Sequence, residues 1–480
     1  MSREKFIGRE WELQKLREFS KRKTAGLVVC QGRRRIGKST LIEHFSLHDC
    51  SKAKFIELYG LAPRENIDNK SQLEHFGELL GMCFGLPPFQ LSNWNMAFDA
   101  LASLTQKGRM IILLDEISWM AGQDRDFAGK LKGVWDTKLK KNNELLLFLC
   151  GSVTTWIEEN ILQDKGFMGR VSLTLTLEEL SLCECNHFWN KNSLVSSYEK
   201  FKVLGVTGGV PRYLEEIEPH KNAEENIKAL CFDREGVLFT EFDKIFHDIF
   251  GKRESEYRQI VQTLTNGHLE INEICEKLDI SSSGAFIKKL NQLCLSGFLA
   301  HDYVWNLQGR KTQSSKYRLK DNYLRFYLKY IDPKRDLIGK GIYQELFLEE
   351  FSGWESMMGL QFENLVLNQL KQIIILLKIP PTSIISASPY FQKATARTKA
   401  CQIDLLIHTK YTLYVCEIKF RRKISREVID EVISKVQKLK VPDTMTVRPV
   451  LIYEGDLSDQ VLRENFFSHT IKFDDLLENC

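Results

Sequence analysis

The fold of the N-terminal part of the chain is decided at residues 27–42, whose sequence is LVVCQGRRRIGKSTLI. A short β-type run comes first, a glycine-containing loop follows at residues 32–40, and apolar residues at helical spacing come next. A strand, a loop and a helix in this order cradle phosphate, because backbone N–H groups wrap the anion and the helix N-terminus favours its charge. The alternative is a glycine-rich surface turn, which needs neither the flanking strand nor the helix.

The residues of this loop have separate predicted roles. Gly32 and Gly37 let the backbone wrap a β-phosphate, and Lys38 reaches the β and γ oxygens. The hydroxyl of Ser39 is predicted to bind Mg²⁺, and Thr40 completes the motif. The loop therefore predicts a bound nucleotide together with Mg²⁺.

A second apolar run, MIILLDE at residues 110–116, ends in two carboxylates. This pattern is typical of a buried parallel strand whose C-terminal tip carries function. Asp115 is predicted to hold Mg²⁺ through water and Glu116 to polarise the attacking water, although both could instead cap the next segment. A strand-like stretch at residues 55–58 lies between the two motifs, the order expected when another strand separates the phosphate-loop strand from the Asp-Glu strand.

Two further polar residues lie beside strand-like runs. The run at residues 145–150 ends at Gly151-Ser152, which makes Ser152 a candidate sensor of the γ-phosphate. Arg170 precedes an alternating stretch at residues 171–175, and an arginine on such a loop can stabilise transition-state charge in its own subunit or in a neighbouring one. The alternative for Arg170 is an ordinary surface arginine.

Five motifs are spread over the first 212 residues of the chain. They are FIGRE at residues 6–10, Asp115-Glu116, Gly151-Ser152, Gly169-Arg170 and GGVPR at residues 208–212. Together they resemble the archaeal-type AAA ATPase family, which is related to the STAND signalling NTPases. The resemblance implies ATP as the nucleotide, a segment with Gly8 and Arg9 near the adenine, and a helical lid opened at the turn that contains Pro211.

Residues 254–330 have the pattern of three short helices followed by a β-hairpin. This arrangement resembles the winged-helix domain that often follows an ATPase of this type. In a DNA-binding domain of that shape the third helix enters the major groove, and nearby basic side chains contact phosphates or bases. The candidates for such contacts are Lys288, Lys289, Arg310 and Lys311. The alternative is a packing or regulatory module.

Two strands are predicted near the C-terminus, at residues 403–408 and 412–419, with a tight turn between them. Pairing across that turn sets Asp404 directly opposite Glu417, and Lys419 shares their face two residues further on. The flanking residues on both faces are apolar, so we expect these strands to be largely buried.

Two opposed carboxylates repel each other unless a cation lies between them, and we therefore predict Mg²⁺ between Asp404 and Glu417. Lys419 could then orient or deprotonate a water for attack on a phosphodiester. The pattern resembles the PD-(D/E)xK nuclease superfamily, which implies a further acid on a preceding helix, and Glu363 fits that role. Ile403 stands where the name-giving proline would be. The alternative is a degenerate nuclease fold used for binding.

A basic rim with two interleaved aromatic residues surrounds this predicted site. Its members are Lys393, Arg397, Lys399, Lys419, Arg421, Arg422 and Lys423, with Tyr390 and Phe391. A basic rim around paired carboxylates suits a polyanion held over a metal ion. A solvated run of charges is the alternative.

The composition of the 480-residue chain excludes wholesale disorder, because 43% of its residues are hydrophobic and 27% are charged. Its 67 Lys and Arg against 63 Asp and Glu give a net charge of +4, which by itself indicates no polyanionic partner. No apolar run approaches the roughly 18 residues of a membrane span and no signal peptide is evident, so we expect a cytoplasmic protein. A zinc site at Cys183, Cys185 and His187 is a weaker alternative, because it lacks a second ligand pair.

We therefore predict an α/β multidomain fold. Its predicted parts are a P-loop ATPase core with a parallel sheet at residues 1–200, a helical lid at 201–250, a winged helix at 251–332 and a restriction-endonuclease-like α/β domain at 333–480. The predicted function is ATP hydrolysis coupled to DNA binding and metal-dependent DNA cleavage, with ATP and Mg²⁺ as cofactors. Predicted partners are DNA and a second copy of the chain or another protein, but no membrane. The alternative function is a STAND-like regulatory switch with an inactive nuclease-like domain.

Overall fold

The computed structural model describes residues 6–64, 66–152, 154–189, 194–305, 311–343, 347–394, 399–439 and 441–479. Two predicted contact residues, Arg310 and Arg397, lie outside these ranges. The chain divides into two compact units: unit 1 contains Met1–Glu178, Ile245–Glu254 and Asn291–Gly297, and unit 2 contains Glu179–Lys244, Ser255–Leu290 and Phe298–Cys480. Within the described ranges, every helix is too short or too polar to cross a membrane.

Unit 1 contains a five-stranded parallel sheet with the strand order β2-β3-β4-β1-β5. Its elements are α1 (Glu10–Ser20), β1 (Gly26–Gly32), α2 (Lys38–His44), β2 (Lys54–Tyr59), α3 (Asn69–Phe84), α4 (Trp94–Leu104), β3 (Met110–Asp115), α5 (Ile117–Ala121), α6 (Phe127–Thr137), β4 (Leu145–Gly151), α7 (Thr154–Ile157) and β5 (Val171–Leu177). A strand does separate β1 from β3 in the sheet. That strand is β4, whereas the stretch at residues 55–58 belongs to β2 at the sheet edge.

Successive residues of these strands enter two different apolar cores, one on each face of the sheet. Val28 and Cys30 pack with residues of α1 and α2, whereas Leu27 and Val29 pack with residues of α3, α4 and α6. Strands β1 and β4 are buried along their whole length, as expected for parallel strands covered on both faces. Because the strands are parallel, the C-terminal ends of β1, β3 and β4 open at the same edge of the sheet.

Unit 2 contains most of the remaining elements. They are α8 (Leu182–Asn186), α9 (Ser197–Thr207), α10 (Pro211–Leu214), α11 (Ala223–Cys231), α12 (Val237–Phe250), α13 (Glu254–Thr263), β6 (Leu269–Glu270), α14 (Ile271–Lys277), α15 (Gly284–Leu295), β7 (Leu299–Trp305), β8 (Lys311–Leu319), α16 (Asn322–Phe326), α17 (Arg335–Gly339), α18 (Trp354–Leu367), α19 (Leu370–Leu376), β9 (Ile384–Gln392), β10 (Cys401–Thr409), β11 (Thr412–Ile424), α20 (Glu427–Lys438), β12 (Thr446–Leu457), α21 (Asp459–Glu464), β13 (His469–Lys472) and α22 (Phe473–Glu478). The C-terminal ends of α12 and α15 belong to unit 1.

The segment predicted as a helical lid, residues 201–250, contains a tight turn between α9 and α10. Gly208 has a positive φ of 59°, and a Cβ on Gly209 would lie 2.3 Å from the carbonyl oxygen of Leu180. Pro211 occupies the first turn of α10, where its missing N–H costs no hydrogen bond. The GGVPR sequence therefore satisfies local backbone packing within unit 2.

The segment predicted as a winged helix consists of the helices α13, α14 and α15 followed by the hairpin β7–β8. Strand β6 joins the hairpin in a three-stranded antiparallel sheet with the order β6-β8-β7. The Ser283 hydroxyl accepts a hydrogen bond from the Phe286 N–H at 3.2 Å, as expected of an N-cap. Lys289 of the third helix forms an ion pair with Glu256 at 2.5 Å, and Lys288 is exposed.

The C-terminal part of unit 2 contains a second five-stranded sheet, with the order β13-β12-β11-β10-β9. Strands β9, β10 and β11 are antiparallel, and β11, β12 and β13 are parallel. Strand β10 pairs with β11 from Leu405 opposite Cys416 to His408 opposite Leu413, which confirms the predicted register. The pairing of β10 with β9 shifts by one residue between Ile403 and Leu406, and such bulges re-aim side chains near functional sites.

A buried carboxyl group in β12 gives unit 2 a pH-dependent stability. Glu454 is 4% exposed, and burial, followed by the nearby Asp474, raises its pKa from an ordinary value of 4.5 to about 7. The folded chain therefore holds this proton more tightly than the unfolded chain does. The resulting stabilisation is fully present below about pH 4.5 and is lost as the pH rises through about 7.

Replacing this group tests that assignment directly. We expect Glu454→Gln to flatten part of the decline in the free energy of unfolding between about pH 5 and pH 8, because the amide does not ionise. Urea unfolding at several pH values measures the effect. Glu427→Gln, at an exposed position on α20, serves as the control and should leave the decline unchanged. Identical pH profiles for wild type and Glu454→Gln would contradict the assignment.

Candidate functional site

The loop between β1 and α2 has the geometry of a phosphate cradle. A Cβ on Gly32 would lie 2.5 Å from the carbonyl oxygen of Leu177, and Gly37 has a φ of 84°, so both positions favour glycine. The buried Lys38 ammonium donates hydrogen bonds to the carbonyl oxygens of Gly32 at 3.1 Å and Arg33 at 3.0 Å. The backbone of the loop thus holds the lysine that was predicted to bind phosphate oxygens.

The two residues predicted to bind Mg²⁺ in unit 1 lie in direct contact. Ser39, at the start of α2, donates its hydroxyl hydrogen to Asp115 Oδ2 at the end of β3, with 2.5 Å between the oxygens. A hydroxyl beside a carboxylate is a set of hard oxygen donors that suits Mg²⁺. Thr40, the next residue of the loop motif, is exposed on α2.

Glu116 and Ser152 also meet, although they come from the ends of two different strands. The Ser152 hydroxyl lies 2.9 Å from each oxygen of the Glu116 carboxylate, and the Ser152 N–H donates to Oε2 at 3.1 Å. Glu116 itself has a left-handed backbone, with φ 47° and ψ 48°, which is uncommon for a residue other than glycine. Such strain is found most often at functional sites.

Arg9 of the Gly8-Arg9 pair contacts the phosphate loop. Arg9 is 5% exposed, and its guanidinium donates to the carbonyl oxygens of Ile36 at 3.0 Å and Glu178 at 2.7 Å. Gly8 and Arg9 both have positive φ angles, of 73° and 64°. The arginine therefore stabilises the backbone of the loop. That this segment lies near the adenine stays a prediction.

Arg170 forms an ion pair with Asp136 of α6. Its Nε lies 3.0 Å from Oδ1 and 2.8 Å from Oδ2 of that carboxylate. These hydrogen bonds lower the pKa of the Asp136 carboxyl and raise the pKa of the Arg170 guanidinium. Sequence reasoning did not foresee this partner, and a transition-state role for Arg170, in its own subunit or a neighbouring one, stays a prediction.

Arginines of the phosphate loop contact the two segments of unit 1 that come from later in the chain. Arg34 forms an ion pair with Asp248 of segment 245–254. Gly297 lies so close to the loop that a Cβ there would be 3.5 Å from Arg33 Cβ. The sequence carried no local signal for these contacts, because the partners are far apart along the chain.

In unit 2, Lys435 of α20 bridges the carboxylates predicted to face each other. Its Nζ lies 2.6 Å from Glu417 Oε2 and 3.6 Å from Asp404 Oδ1. The other oxygen of Asp404 accepts a hydrogen bond from the Ile418 N–H at 2.9 Å. Glu417 is only 1% exposed, so its charge requires such a partner. Opposition of the two acids was predicted, whereas the bridging lysine was not.

Lys419 lies on the other side of Glu417. Its Nζ is 2.9 Å from Glu417 Oε1 and 2.6 Å from Glu431 Oε2. Burial lowers the pKa of Lys419, but the two carboxylates outweigh burial and leave the pKa raised. The pKa of Lys435 is likewise raised, with Asp404 and Glu417 outweighing burial. Both lysines are therefore ammonium ions at neutral pH, which favours orientation of water over deprotonation as the role of Lys419.

Glu363 of α18 supplies the third acid of this site. Burial, followed by the charge of Asp404, raises the pKa of Glu363 to about 7. Burial and Glu417 raise the pKa of Asp404 to about 6. The Oε1 atom of Glu363 is buried and lacks a hydrogen-bond partner within the described part of the chain. All three acids line the same cleft, while a shared role for them stays a prediction.

These acids lie in a cleft of about 1010 Å³. The basic side chains lining the cleft are Lys316, Lys393, Lys419, Lys435 and Lys438. Tyr390 and Phe391 of the predicted rim also line the cleft, whereas Lys399, Arg421, Arg422 and Lys423 are exposed and are not among its lining residues. Lys316, on β8, was not predicted to belong to this site.

The present arrangement of these acids does not fit a metal ion. Over the described residues, no three His, Cys, Asp or Glu side chains are grouped so that they could hold one. The ammonium of Lys435 lies where a cation would contact Asp404 and Glu417. Metal ligation by Glu363, Asp404 and Glu417 therefore stays a prediction.

Comparison with known proteins bears on the first part of the chain. A family model described as an ATPase domain predominantly from Archaea matches residues 6–217. Residues 6–217 are therefore similar to ATPase domains of this family. The matched range contains the phosphate loop, the Asp-Glu strand, Ser152, Arg170 and Pro211.

Other comparisons extend over more of the chain. An uncharacterized protein of Methanocaldococcus jannaschii is 25% identical over 381 residues, which cover 78% of this chain and 79% of the relative. A Walker-type ATPase of Pyrococcus abyssi has a TM-score of 0.48 at 16% identity, covering 68% of this chain and 97% of its own. The ORC2 protein of Aeropyrum pernix has a TM-score of 0.41 at 14% identity, covering 71% and 98% of the two chains.

Within the matched range, some of the predicted site residues meet and one does not. Ser39 meets Asp115, and Glu116 meets Ser152. Arg170 is paired elsewhere, with Asp136. In unit 2, a signal for the missed Lys435 was present in the sequence, because Glu431 and Lys435 have the i, i+4 spacing of one helix face on the amphipathic helix after β11.

Proposed function

We propose that residues 6–217 are an ATPase domain, which hydrolyses ATP at the Ser39–Asp115 and Glu116–Ser152 contacts. The observation that carries this proposal is the meeting of a candidate metal-binding pair and a candidate water-activating pair beside one phosphate loop. In the proposed complex, Lys38 exchanges its loop carbonyl partners for phosphate oxygens. Ser152 holds the Glu116 carboxylate so that it accepts a hydrogen bond from the attacking water.

Magnesium, when bound by Ser39 and Asp115, would neutralise part of the charge on the β and γ phosphates. The chain's own residues supply the remaining functions. Arg9 holds the Ile36 carbonyl and so limits movement of the loop. The left-handed backbone of Glu116 directs its carboxylate toward Ser152. Attack of water on the γ-phosphorus then breaks the bond to the ADP oxygen.

For unit 2 we propose that the cleft binds DNA and that the carboxylate site in it cleaves phosphodiester bonds in a metal-dependent reaction. The support is the combination of lysines and acids in one cleft, with a buried Glu363 oxygen that lacks a partner in the described chain. Lys419 is held as an ammonium ion and can donate to a phosphate oxygen or a water. ATP binding in the ATPase domain is proposed to control this activity.

A second function is favoured by one specific observation. Lys435 compensates the charges of Asp404 and Glu417 without any metal ion, as a binding module that had lost nuclease chemistry would require. In that case the chain is a STAND-like regulatory switch whose cleft binds a partner. A DNA cleavage assay with a divalent metal separates the two functions.

The DNA-binding part of the proposal predicts a steep dependence on salt. If Lys393 and Lys438 contact phosphates in the cleft, their replacement by Ala in one double variant should make the negative slope of log affinity against log salt shallower by about 2. Fluorescence anisotropy of labelled DNA at several salt concentrations measures that slope.

A charge-matched control excludes an effect of net charge alone. Lys371 and Lys410 are exposed and lie outside the residues that line the cleft. Their double replacement by Ala should leave the salt slope unchanged. Equal slopes for all three proteins would remove the cleft from the DNA-binding proposal.

A further inference from the structure

The carboxylate site of unit 2 contains a cation that belongs to the protein itself. Lys435 Nζ lies within 2.6 Å of Glu417 and 3.6 Å of Asp404. Lys419 is shared differently, because it joins Glu417 to Glu431 and has no ion pair with Asp404 among the described contacts. Of these two lysines, Lys435 is therefore the one that offsets the repulsion between the facing acids.

The position of Lys435 competes with a metal ion for the same oxygens. A divalent cation between Asp404 and Glu417 would lie within a few ångströms of the ammonium, and like charges at that distance repel strongly in a partly buried site. The Lys435 side chain is 21% exposed and lines the cleft, so it has space to move away. Its long flexible stem allows that movement without a change in the helix.

We propose that Lys435 is the built-in counter-ion of the Asp404–Glu417 pair and that a divalent metal binds there only by displacing it. This inference rests on the proposed nuclease function and states what limits metal loading of that site. The displaced ammonium remains in the cleft, where a phosphate group of bound DNA can accept its hydrogen bonds. Metal and DNA should consequently favour each other's binding.

The test measures metal affinity directly. Manganese is titrated into the nucleotide-free full chain, and free Mn²⁺ is followed by electron paramagnetic resonance. We expect Lys435→Met to bind Mn²⁺ at the unit 2 site at least about tenfold more tightly than wild type, because the competing charge is gone. Asp404→Asn identifies the binding that belongs to this site, since it removes one of the two acids.

A matched variant separates local competition from general charge. Lys438 lies on the same helix and lines the same cleft, and the described contacts include no ion pair between its side chain and the two acids. Lys438→Met should therefore leave Mn²⁺ affinity close to that of wild type. Equal affinities in wild type and Lys435→Met, or the same gain in Lys438→Met, would overturn the inference.

A second measurement needs no substitution and so does not depend on folding of the variant. In the wild-type chain, the rate at which Lys435 is acetylated is compared with the rate for Lys438 by mass spectrometry, with and without Mn²⁺. Displacement predicts faster acetylation of Lys435 when Mn²⁺ is added. An unchanged ratio of the two rates would overturn the inference. Lys435→Gln, whose amide can still donate to Glu417, replaces the Met variant if that variant does not fold.

Failure of the inference is distinguishable from failure of the proposed nuclease. A chain that shows the gain in Lys435→Met but never cleaves DNA supports the displacement and contradicts nuclease function. DNA cleavage together with equal Mn²⁺ affinities in wild type and Lys435→Met supports nuclease function and contradicts the displacement. Absence of Mn²⁺ binding from every variant overturns the displacement, and the cleavage assay then decides nuclease function independently.

Discussion

Replacing Glu116 with Gln is expected to slow ATP hydrolysis by about 10² or more while ATP binding is retained. The amide keeps the size of the side chain and can still bond to Ser152, but it accepts a proton from water far less readily. Steady-state phosphate release gives the rate, and binding of a fluorescent ATP analogue gives the affinity. Equal hydrolysis by wild type and Glu116→Gln would reject the assignment.

Two further variants serve as controls for that experiment, one expected to lose ATP binding and one expected to behave like wild type. Lys38→Ala removes the ammonium that the loop carbonyls hold and should abolish ATP binding itself. Glu43→Gln changes an exposed acid on α2 and should leave both binding and hydrolysis as in wild type. Of these three variants, we therefore expect only Glu116→Gln to lose ATP hydrolysis while it retains ATP binding.

The second large effect concerns the carboxylate site of unit 2. Asp404→Asn is expected to reduce metal-dependent DNA cleavage by at least about 10². The substitution retains an oxygen that can accept the Ile418 N–H, so the local β-strand geometry should persist. Cleavage of a labelled duplex in the presence of Mn²⁺ is followed over time on a denaturing gel.

An exposed acid on the neighbouring helix supplies the control. Glu427→Gln alters charge on α20 away from the cleft-lining residues and should cleave like wild type. Circular dichroism of both variants establishes that each is folded. Cleavage by Asp404→Asn at the wild-type rate would place the activity at another site.

The phosphate loop was predictable because its chemistry is local. Gly32, Gly37, Lys38 and Ser39 lie within eight consecutive residues, and their roles follow from the turn they form. The order of strands in the sheet was harder to predict, because it depends on connections across the whole of unit 1. The strand between β1 and β3 is accordingly β4, which follows both of them along the chain.

The carboxylate site shows the same division between local and distant signals. A tight turn sets the pairing of β10 with β11, so the register that places Leu405 opposite Cys416, next to the two acids, followed from residue numbers alone. Lys435 comes from a helix packed against that sheet, and its position depends on the burial of Val428, Ile429 and Val432. Helix packing of this kind is set by tertiary contacts that a linear pattern does not specify.

The ion-pair partners of Arg170 and Arg34 likewise could not be predicted from the sequence. The sequence predicts Arg170 to be a loop residue before a strand. In the structure its guanidinium donates hydrogen bonds to Asp136 of the earlier helix α6. Arg34 belongs to the phosphate loop, yet it pairs with Asp248, which lies far along the chain. Long flexible side chains reach partners that only the folded arrangement brings near.

The central claim, an ATPase that controls a nuclease, is tested most directly by DNA cleavage with and without ATP. The full chain and its Lys38→Ala variant are compared in Mg²⁺ and in Mn²⁺. We predict that ATP changes the wild-type cleavage rate by about 5- to 150-fold, the range of typical allosteric couplings, and leaves the rate of Lys38→Ala unchanged. Absence of cleavage by either protein in both metals would contradict the claim and favour the regulatory switch.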